Sequence, residues 1–446
     1  MAKYRWADCT IKYSNGSKFC YFNKITTEHI ITDRHFDIEQ KDIIPETMGA
    51  DLFNEFLSKK LIIDATINED SLYADILTEC SKMRLEHLNL LVTEKCNLNC
   101  SYCQIVKNTF ANPSIMTEET ARLALNKFFM NCNKLNPITI NITGGEPLTN
   151  FKIVKFIIEY SLNNFTGDIR FVIFTNGTLL DKSIAMFLCQ HNVLVIVSLD
   201  GPKEMHDNSR RDCSGESTYE QSLAGYMVAK SVGCKCAISS VANKINLQNL
   251  NRYWEWVKEL NPLSLGFNYP HLLLQVGEMP YDFKTYTDAI ITLHRHCEKS
   301  GIYLENFERF KKVLMNKMIR MRECQACGRG ITVRADGCVG PCKSLLVSDK
   351  ILFEPKNFSY NTNEIFKHWA TRLPIFNSDC KQCDAVTICG GGCAYDSYIL
   401  FNGHVEVFDR RLCAHNMEIM KEILSDLCSQ TERQTECDSL IESVGH

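Results

Sequence analysis

The chain carries 23 cysteines in 446 residues, and eleven of them fall between Cys324 and Cys437. Thiols at that density either staple a small secreted fold or ligate metal. The opening run Met1-Ala2-Lys3-Tyr4-Arg5-Trp6 lacks the basic-then-apolar pattern of a secretory signal. No apolar stretch approaches the roughly 18 residues that span a bilayer. A chain of this size without export signals is expected in the cytoplasm, where thiols stay reduced, so the clustered cysteines read as metal ligands. A net charge of −4 gives no basic excess for nucleic acid, and neither nucleic acid nor membrane is an expected partner.

Around that metal chemistry the middle of the chain alternates short β-rich runs with helical patterns. Strands are expected at 87–92, 138–142, 169–174, 193–198, 235–241 and 264–268. Most are near-continuous apolar runs, as parallel strands covered on both faces require. Helices are expected at 118–130, 152–162, 182–190, 217–231 and 247–260. The first has Thr117 to cap it, with Glu118 and Glu119 favouring its first turn. Six such units predict an α/β fold with a parallel sheet curled into a partial (β/α)6 TIM-type barrel, short of the eight that close one. Its active site is then expected at the C-terminal ends of the strands.

The flanks differ. In residues 1–84, alternating runs at 9–13, 18–22 and 29–32 suggest a small antiparallel sheet, followed by helices at 50–59 and 71–82. This reads as an α+β module. After about residue 310 the chain is rich in glycine and cysteine with little periodicity, and such a segment needs metal to hold it. The expected divisions are 1–84, 85–310 and 311–446.

The sharpest motif follows the first barrel strand, Cys96-Asn97-Leu98-Asn99-Cys100-Ser101-Tyr102-Cys103. Three thiolates on one loop can hold three irons of a [4Fe–4S] cube and leave the fourth iron open to a small molecule. A zinc loop is the competing expectation, but zinc prefers four ligands in paired units and no partner pair lies nearby.

Cys-x3-Cys-x2-Cys with an aromatic residue before the last cysteine resembles the signature of the radical SAM superfamily. Gly144-Gly145-Glu146-Pro147 ends the second strand and looks like the family's GGEP element. The resemblance implies that exposed backbone there and Glu146 receive the amino group of S-adenosylmethionine (SAM). Ser198-Leu199-Asp200-Gly201-Pro202 ends the fourth strand and resembles the ribose-contacting segment, with Ser198 as hydroxyl donor. His206-Asp207-x-x-Arg210 matches a segment whose arginine pairs with the SAM carboxylate, a task suited to a guanidinium fork. A surface ion pair from Arg210 to Asp207 or Asp212 is the bland alternative. Thr175-Asn176-Gly177 after the third strand also fits, or is a plain strand-end turn. Cys96, Cys100 and Cys103 would then be the catalytic cluster ligands. SAM would be cleaved reductively to methionine and a 5′-deoxyadenosyl radical that takes hydrogen from an unactivated carbon.

The carboxy-terminal cysteines resemble the seven-cysteine SPASM domain: Cys327, nine residues, Gly337-x4-Cys342, then Cys380-x2-Cys383-x5-Cys389-x3-Cys393, nineteen residues, and Cys413. In that family the domain holds two auxiliary [4Fe–4S] clusters, giving three in all. Cys324 could complete eight ligands; Cys338 is a rival for that place. By resemblance one cluster takes Cys324, Cys327, Cys342 and Cys393, and the other Cys380, Cys383, Cys389 and Cys413. Paired zinc ribbons are the alternative. The other cysteines, such as Cys9, Cys132, Cys189 and Cys234, read as small buried apolar residues, and Cys428 and Cys437 as exposed and unassigned.

SPASM enzymes mostly modify peptide or protein side chains. Anaerobic sulfatase-maturing enzymes carry an acid directly after the Gly-x4-Cys cysteine as base; here Lys343 stands there and Asp336 lies on the wrong side. A lysine is a poor base unless strongly desolvated. The resemblance therefore leans to maturases of ribosomal peptides, which form thioether or carbon–carbon crosslinks, with an electron donor such as flavodoxin or ferredoxin. Many carry a winged-helix-like module of about 80 residues that captures a leader peptide by strand addition, the role expected of residues 1–84 if they are not an ordinary extension. A non-catalytic iron–sulfur electron carrier is the expectation from another class.

Overall fold

The computed structural model describes residues 4–39, 43, 45–103, 105, 113–270, 282–316, 319–347, 360 and 363–429. Cys437 lies outside them.

The amino-terminal sheet is a meander of β2 (Thr10–Ser14), β3 (Phe19–Asn23) and β4 (His29–Thr32), flanked by β1 (Tyr4–Trp6) paired antiparallel with β5 (Ile62–Asp64). The helix Ala50–Ser58 buries Phe53 and Phe56 against Trp6, Tyr21 and Ile30. The helix expected at 71–82 is two pieces, Glu69–Leu72 and Ala74–Ser81. Tyr73 stands at the break because its ring is buried and its hydroxyl bonds Cys9 and Asn23.

The central sheet runs through six parallel strands in sequence order: β6 (His87–Leu91), β7 (Ile138–Thr143), β8 (Ile169–Thr175), β9 (Leu194–Ser198), β10 (Cys236–Val241) and β11 (Ser264–Asn268). Short strands extend both edges. β12 (Tyr303–Leu304) adds to β11, β13 (Gly330–Val333) adds in parallel to β6, and β14 (Val339–Gly340) turns back on β13. The nine strands are the expected partial barrel.

β7 is one-sidedly apolar rather than apolar throughout, whereas β8, β9 and β10 also bury Val172, Ile196 and Ala237 on their second face. Ile138, Ile140 and Ile142 are fully buried under Leu125, Phe128, Val154 and Ile157. The alternate residues carry polar side chains on the opposite, inner face, which is where period-two geometry sends them. There Asn141 donates to Asn89 (2.9 Å), Asn89 to Thr332 (3.3 Å), and Gln325 to Asn89 (3.5 Å).

Thr117 caps Glu118–Asn131 by accepting from the Thr120 N–H. The helix expected at 247–260 is broken at Asn249 into Lys244–Gln248 and Leu250–Leu260, because Asn243 and Asn246 form a reciprocal capping box for the first piece alone. The carboxy-terminal third is more regular than its composition suggested. Helix Glu305–Met315 runs through the expected boundary at 310/311, and a twenty-residue helix, Arg410–Ser429, closes the described chain. Leu412, Ile419, Met420, Ile423, Leu424 and Leu427 form its buried stripe. That stripe carries Cys428 into the core beside Cys20, so Cys428 is not the exposed thiol expected of it. No helix among the described residues is long and apolar enough to cross a membrane.

Candidate active site and metal centres

Three strand ends converge on the loop of Cys96, Cys100 and Cys103. From the second strand, Gly145 N–H donates to Thr93 O (2.8 Å) and Glu146 N–H to Lys95 O (2.9 Å). This contact demands glycine: a Cβ on Gly145 would lie 2.2 Å from Lys95 O, and one on Gly144 2.4 Å from Thr93 O. From the third strand, Asn176 donates to Asn97 (2.9 Å), and Asn97 to Thr178 (2.8 Å). After the fourth strand the chain returns under the same loop, where Asn99 N–H meets Arg211 O and Ser101 N–H meets Ser209 O, both at 2.8 Å.

Glu146 is fully buried, and both its oxygens are occupied by the protein. Oε1 accepts from Leu148 N–H (3.0 Å) and the Thr175 hydroxyl (2.7 Å), and Oε2 from Asn176 N–H (2.7 Å). Burial pushes its pKa up against those donors, to about 7. The Thr175-Asn176-Gly177 turn is therefore tied to the Gly-Gly-Glu turn.

Arg210 forms neither of the surface pairs considered for it. Asp207 accepts from Ser217 and pairs with Lys203, and Asp212 accepts from Ser214 and Glu216 N–H groups. Arg210 Nε instead donates to buried Asp200 Oδ2 at 2.9 Å, and its guanidinium sits over the Tyr102 ring at 5.2 Å. Tyr102 donates its hydroxyl to the same oxygen (2.6 Å), while Asp200 Oδ1 accepts from Val241 N–H (2.9 Å). Asp200 is the organising residue the sequence reasoning passed over; the signal was an acid two residues beyond an apolar strand, where nothing apolar needs it. Ser198 ends β9, in parallel register with Ser239.

Burial raises the Cys96 and Cys100 thiols to about 12 and about 11, with the Arg210 charge opposing the rise at Cys100. Such thiols ionise when a metal displaces the proton.

The carboxy-terminal cysteines gather in two fours. Cys324 hydrogen-bonds Cys327, and its charge reaches Cys342 and Cys393; Cys327 in turn feels Cys393. Cys380 interacts with Cys383, Cys389 and Cys413, and Cys413 with Cys383. Donors point at the sulfurs: Asn416 Nδ2 at 2.9 Å and Gly391 N–H at 3.3 Å from Cys389. Cys338 stands apart, with Arg334 and Asp336 as its charged neighbours, whereas Cys324 lies among the first four. Of the remaining cysteines, Cys9 and Cys234 are buried, Cys132 and Cys189 half-buried.

The spacing of these sulfurs tests the zinc alternative. A zinc ion with bonds of about 2.3 Å holds tetrahedral sulfurs about 3.8 Å apart. Among the described residues the only three potential metal-binding groups whose ligand atoms all lie within 4.8 Å of one another are His294, Glu298 and Asp426, not any three cysteines. Three thiols on one loop and two all-thiol fours are donor sets that suit iron–sulfur cubes.

Residues 90–257 match the Radical SAM superfamily. The chain carries a radical SAM domain. Members of that superfamily are enzymes, and this chain is one. It is 25% identical over 381 residues to the radical SAM cyclopropyl synthase TigE of Paramaledivibacter caminithermalis, covering 77% of this chain and 76% of the relative. It is 24% identical to the cysteine-type anaerobic sulfatase-maturating enzyme of Clostridium novyi, covering 69% and 88%. In fold it resembles Streptococcus suis SuiB, solved with its precursor peptide SuiA, at a TM-score of 0.56 and 15% identity over 92% of this chain and 99% of that one. A radical SAM domain binds a [4Fe–4S] cluster and SAM.

Proposed function

We propose that this enzyme is a cytoplasmic radical SAM peptide maturase whose substrate is a cysteine-containing ribosomal peptide and whose product carries a thioether or related crosslink. The observation that carries the proposal is the convergence of the Gly144–Glu146, Thr175–Thr178 and Ser209–Arg211 segments on the Cys96–Cys103 loop. Bound at Cys96, Cys100 and Cys103, a [4Fe–4S] cluster with SAM supplies a 5′-deoxyadenosyl radical able to take hydrogen from unactivated carbon. The chain's own residues align and shield. Gly144 and Gly145 let backbone come within bonding range of the cysteine loop, and Glu146 fixes the neighbouring turn. We assign the SAM amino group to that backbone with Glu146 behind it, the ribose to Ser198, and the carboxylate to the Arg210 nitrogens not given to Asp200, beside Tyr102.

The eight carboxy-terminal cysteines are proposed to hold two auxiliary clusters, which would supply electron-transfer capacity beside the substrate, with flavodoxin or ferredoxin as the external electron donor. Residues 1–84 are proposed to capture the leader by adding a strand at the β4 edge of the amino-terminal sheet, displacing Lys59 from the His29 carbonyl.

A sulfatase-maturing reaction is the second reading, favoured by the Clostridium novyi relative. Against it, Lys343 follows Cys342, and Asp336 is held by Arg334. Burial pushes the Asp336 pKa up, but the Arg334 and Cys338 bonds bring it below the ordinary value, a poor setting for a base. The test is anaerobic reconstitution, reduction in the presence of SAM, and assay of 5′-deoxyadenosine. Its absence from protein with intact clusters refutes the enzyme mechanism. The triple change of Cys96, Cys100 and Cys103 to alanine must abolish it, where a simple electron carrier would keep its redox activity.

A further inference from the structure

Arg372 is a buried cation that forms no ion pair with a carboxylate among the described residues. The side chain is 1% exposed. Its terminal nitrogens donate to four backbone carbonyls: Val405, Val407 (3.1 Å), Gly391 and Gly392 (3.5 Å). The guanidinium lies 4.3 Å from the centre of the Phe408 ring. Nε is buried without an acceptor, and among the described residues no acid pairs with it. A cation is not kept in such a place without compensating negative charge.

Its surroundings say where that charge belongs. Gly391 and Gly392 lie in the loop between Cys389 and Cys393, and those two cysteines belong to different fours. Gly390, Gly391 and Gly392 take φ of +69°, +88° and +69°, a succession open only to glycine. That loop presents its carbonyls to Arg372. The charge of Arg372 reaches Cys324 and Cys327 in the first four, where Glu323 opposes it at Cys324, and Cys413 in the second, where Arg410 acts more strongly and Asp409 opposes it. A cube bound by four thiolates carries a net charge of about −2, and one electron more when reduced.

We infer that Arg372 is the shared counter-charge of two auxiliary iron–sulfur clusters, a positioning residue that ties together the loop joining their ligand sets and raises both their potentials. This rests on the eight cysteines holding two cubes. A positive charge favours the reduced, more negative state, so removing it must lower both potentials. A unit charge at about 12 Å and an effective dielectric of 20 changes an equilibrium constant about tenfold, which for a one-electron couple is about 59 mV.

The test is potentiometry followed by electron paramagnetic resonance on the reconstituted full chain, wild type against Arg372→Gln and Arg372→Lys, with iron counted in each. Glutamine keeps hydrogen-bond donors and loses the charge; lysine keeps the charge and loses the fork. The expected result is a tenfold or larger fall in the reduction constant of both auxiliary centres in Arg372→Gln, largely restored in Arg372→Lys. If Arg372→Gln cannot be loaded, loading of Arg372→Lys with near wild-type potentials supports the charge role, and failure of both variants overturns it. Unchanged potentials in fully loaded Arg372→Gln, or a shift at one centre only, also overturn it. Wild-type protein with about four irons would instead remove the auxiliary clusters themselves, a failure told apart by the iron count.

Discussion

Gly145→Ala separates a contact required by geometry from one that is incidental. The added Cβ would stand 2.2 Å from Lys95 O, 2.6 Å from Lys95 C and 2.9 Å from Glu94 O, all backbone atoms that no side-chain rotation can remove. Ordinary contact begins near 3.4 Å, so the Gly-Gly-Glu turn and the cysteine loop must part by about 1.2 Å. That separation breaks two bonds, Gly145 N–H to Thr93 O at 2.8 Å and Glu146 N–H to Lys95 O at 2.9 Å. Each is worth about 1 kcal/mol net, and the overpacking itself costs about 1–3 kcal/mol. The expected loss of stability is therefore about 3–5 kcal/mol, measured by anaerobic urea unfolding. Lys95 precedes Cys96, and a 1 Å misplacement at a reacting centre costs on the order of 100-fold in rate. SAM cleavage per bound iron should fall by that factor. Gly215→Ala is the control, since its Cβ meets nothing within 4 Å and only its φ of +84° is strained, about 1 kcal/mol. A Gly145→Ala protein that loses less than the control and cleaves SAM at the wild-type rate refutes the reasoning.

Glu146 gives a pH signature. Its folded pKa of about 7 lies above the ordinary 4.5, so the folded state holds the proton more tightly and wild-type stability falls as pH rises from about 4.5 through 7. The change is on the order of 3 kcal/mol; Glu146→Gln should lack it, and equal slopes in urea unfolding between pH 5 and 8 would contradict the burial argument. The first auxiliary four makes a sharper distinction. If three clusters are bound, wild type should hold about twelve irons; Cys324→Ala should then lower the count, whereas Cys338→Ala should leave it unchanged, because Cys338 faces Arg334 and Asp336. Iron assay decides.

The six barrel strands were legible because most are short, near-continuous apolar runs, and Ser264–Asn268 and the helix Lys182–Gln190 agree with expectation to the residue. The grouping of the carboxy-terminal cysteines was supplied by the SPASM resemblance rather than by spacing, since Cys393 of the first proposed set lies between Cys389 and Cys413 of the second. What the sequence hid is what arises between segments. Asn89 and Asn141 sit inside runs that read as apolar, and only the barrel's curvature sets them against Thr332 and Gln325. β13 has a buried tetrapeptide too short to announce a strand, and it needs β6 beside it to become one. Asp200 looks like a turn residue until Arg210, Tyr102 and Val241 are brought to it from ten, 98 and 41 residues away. The stripe of the helix Arg410–Ser429 was masked by the charged residues between its apolar positions.

The segments flanking the amino-terminal sheet pack beside the second set of cysteines, and this ties two proposed roles together. Ala7, Cys9, Ile25, Ile63 and Tyr73 pack with Met321, Leu373, Ile375 and Val386, and Cys380 borders the same cluster. Lys24 donates to Lys381 O (3.3 Å), between Cys380 and Cys383, and Lys24 O accepts from Thr387, between Cys383 and Cys389. On the other side Cys20 of β3 meets Cys428 of the last helix. The loop that would take a cluster therefore packs on the segments that flank the β2–β3–β4 sheet, at Ala7, Cys9, Lys24 and Ile25. Loops of this kind gain their order from metal, so filling the second four should stiffen those flanking segments. Linkage is reciprocal: a peptide strand that adds to β4 and steadies the sheet must favour the loaded loop to the same extent that loading favours the peptide.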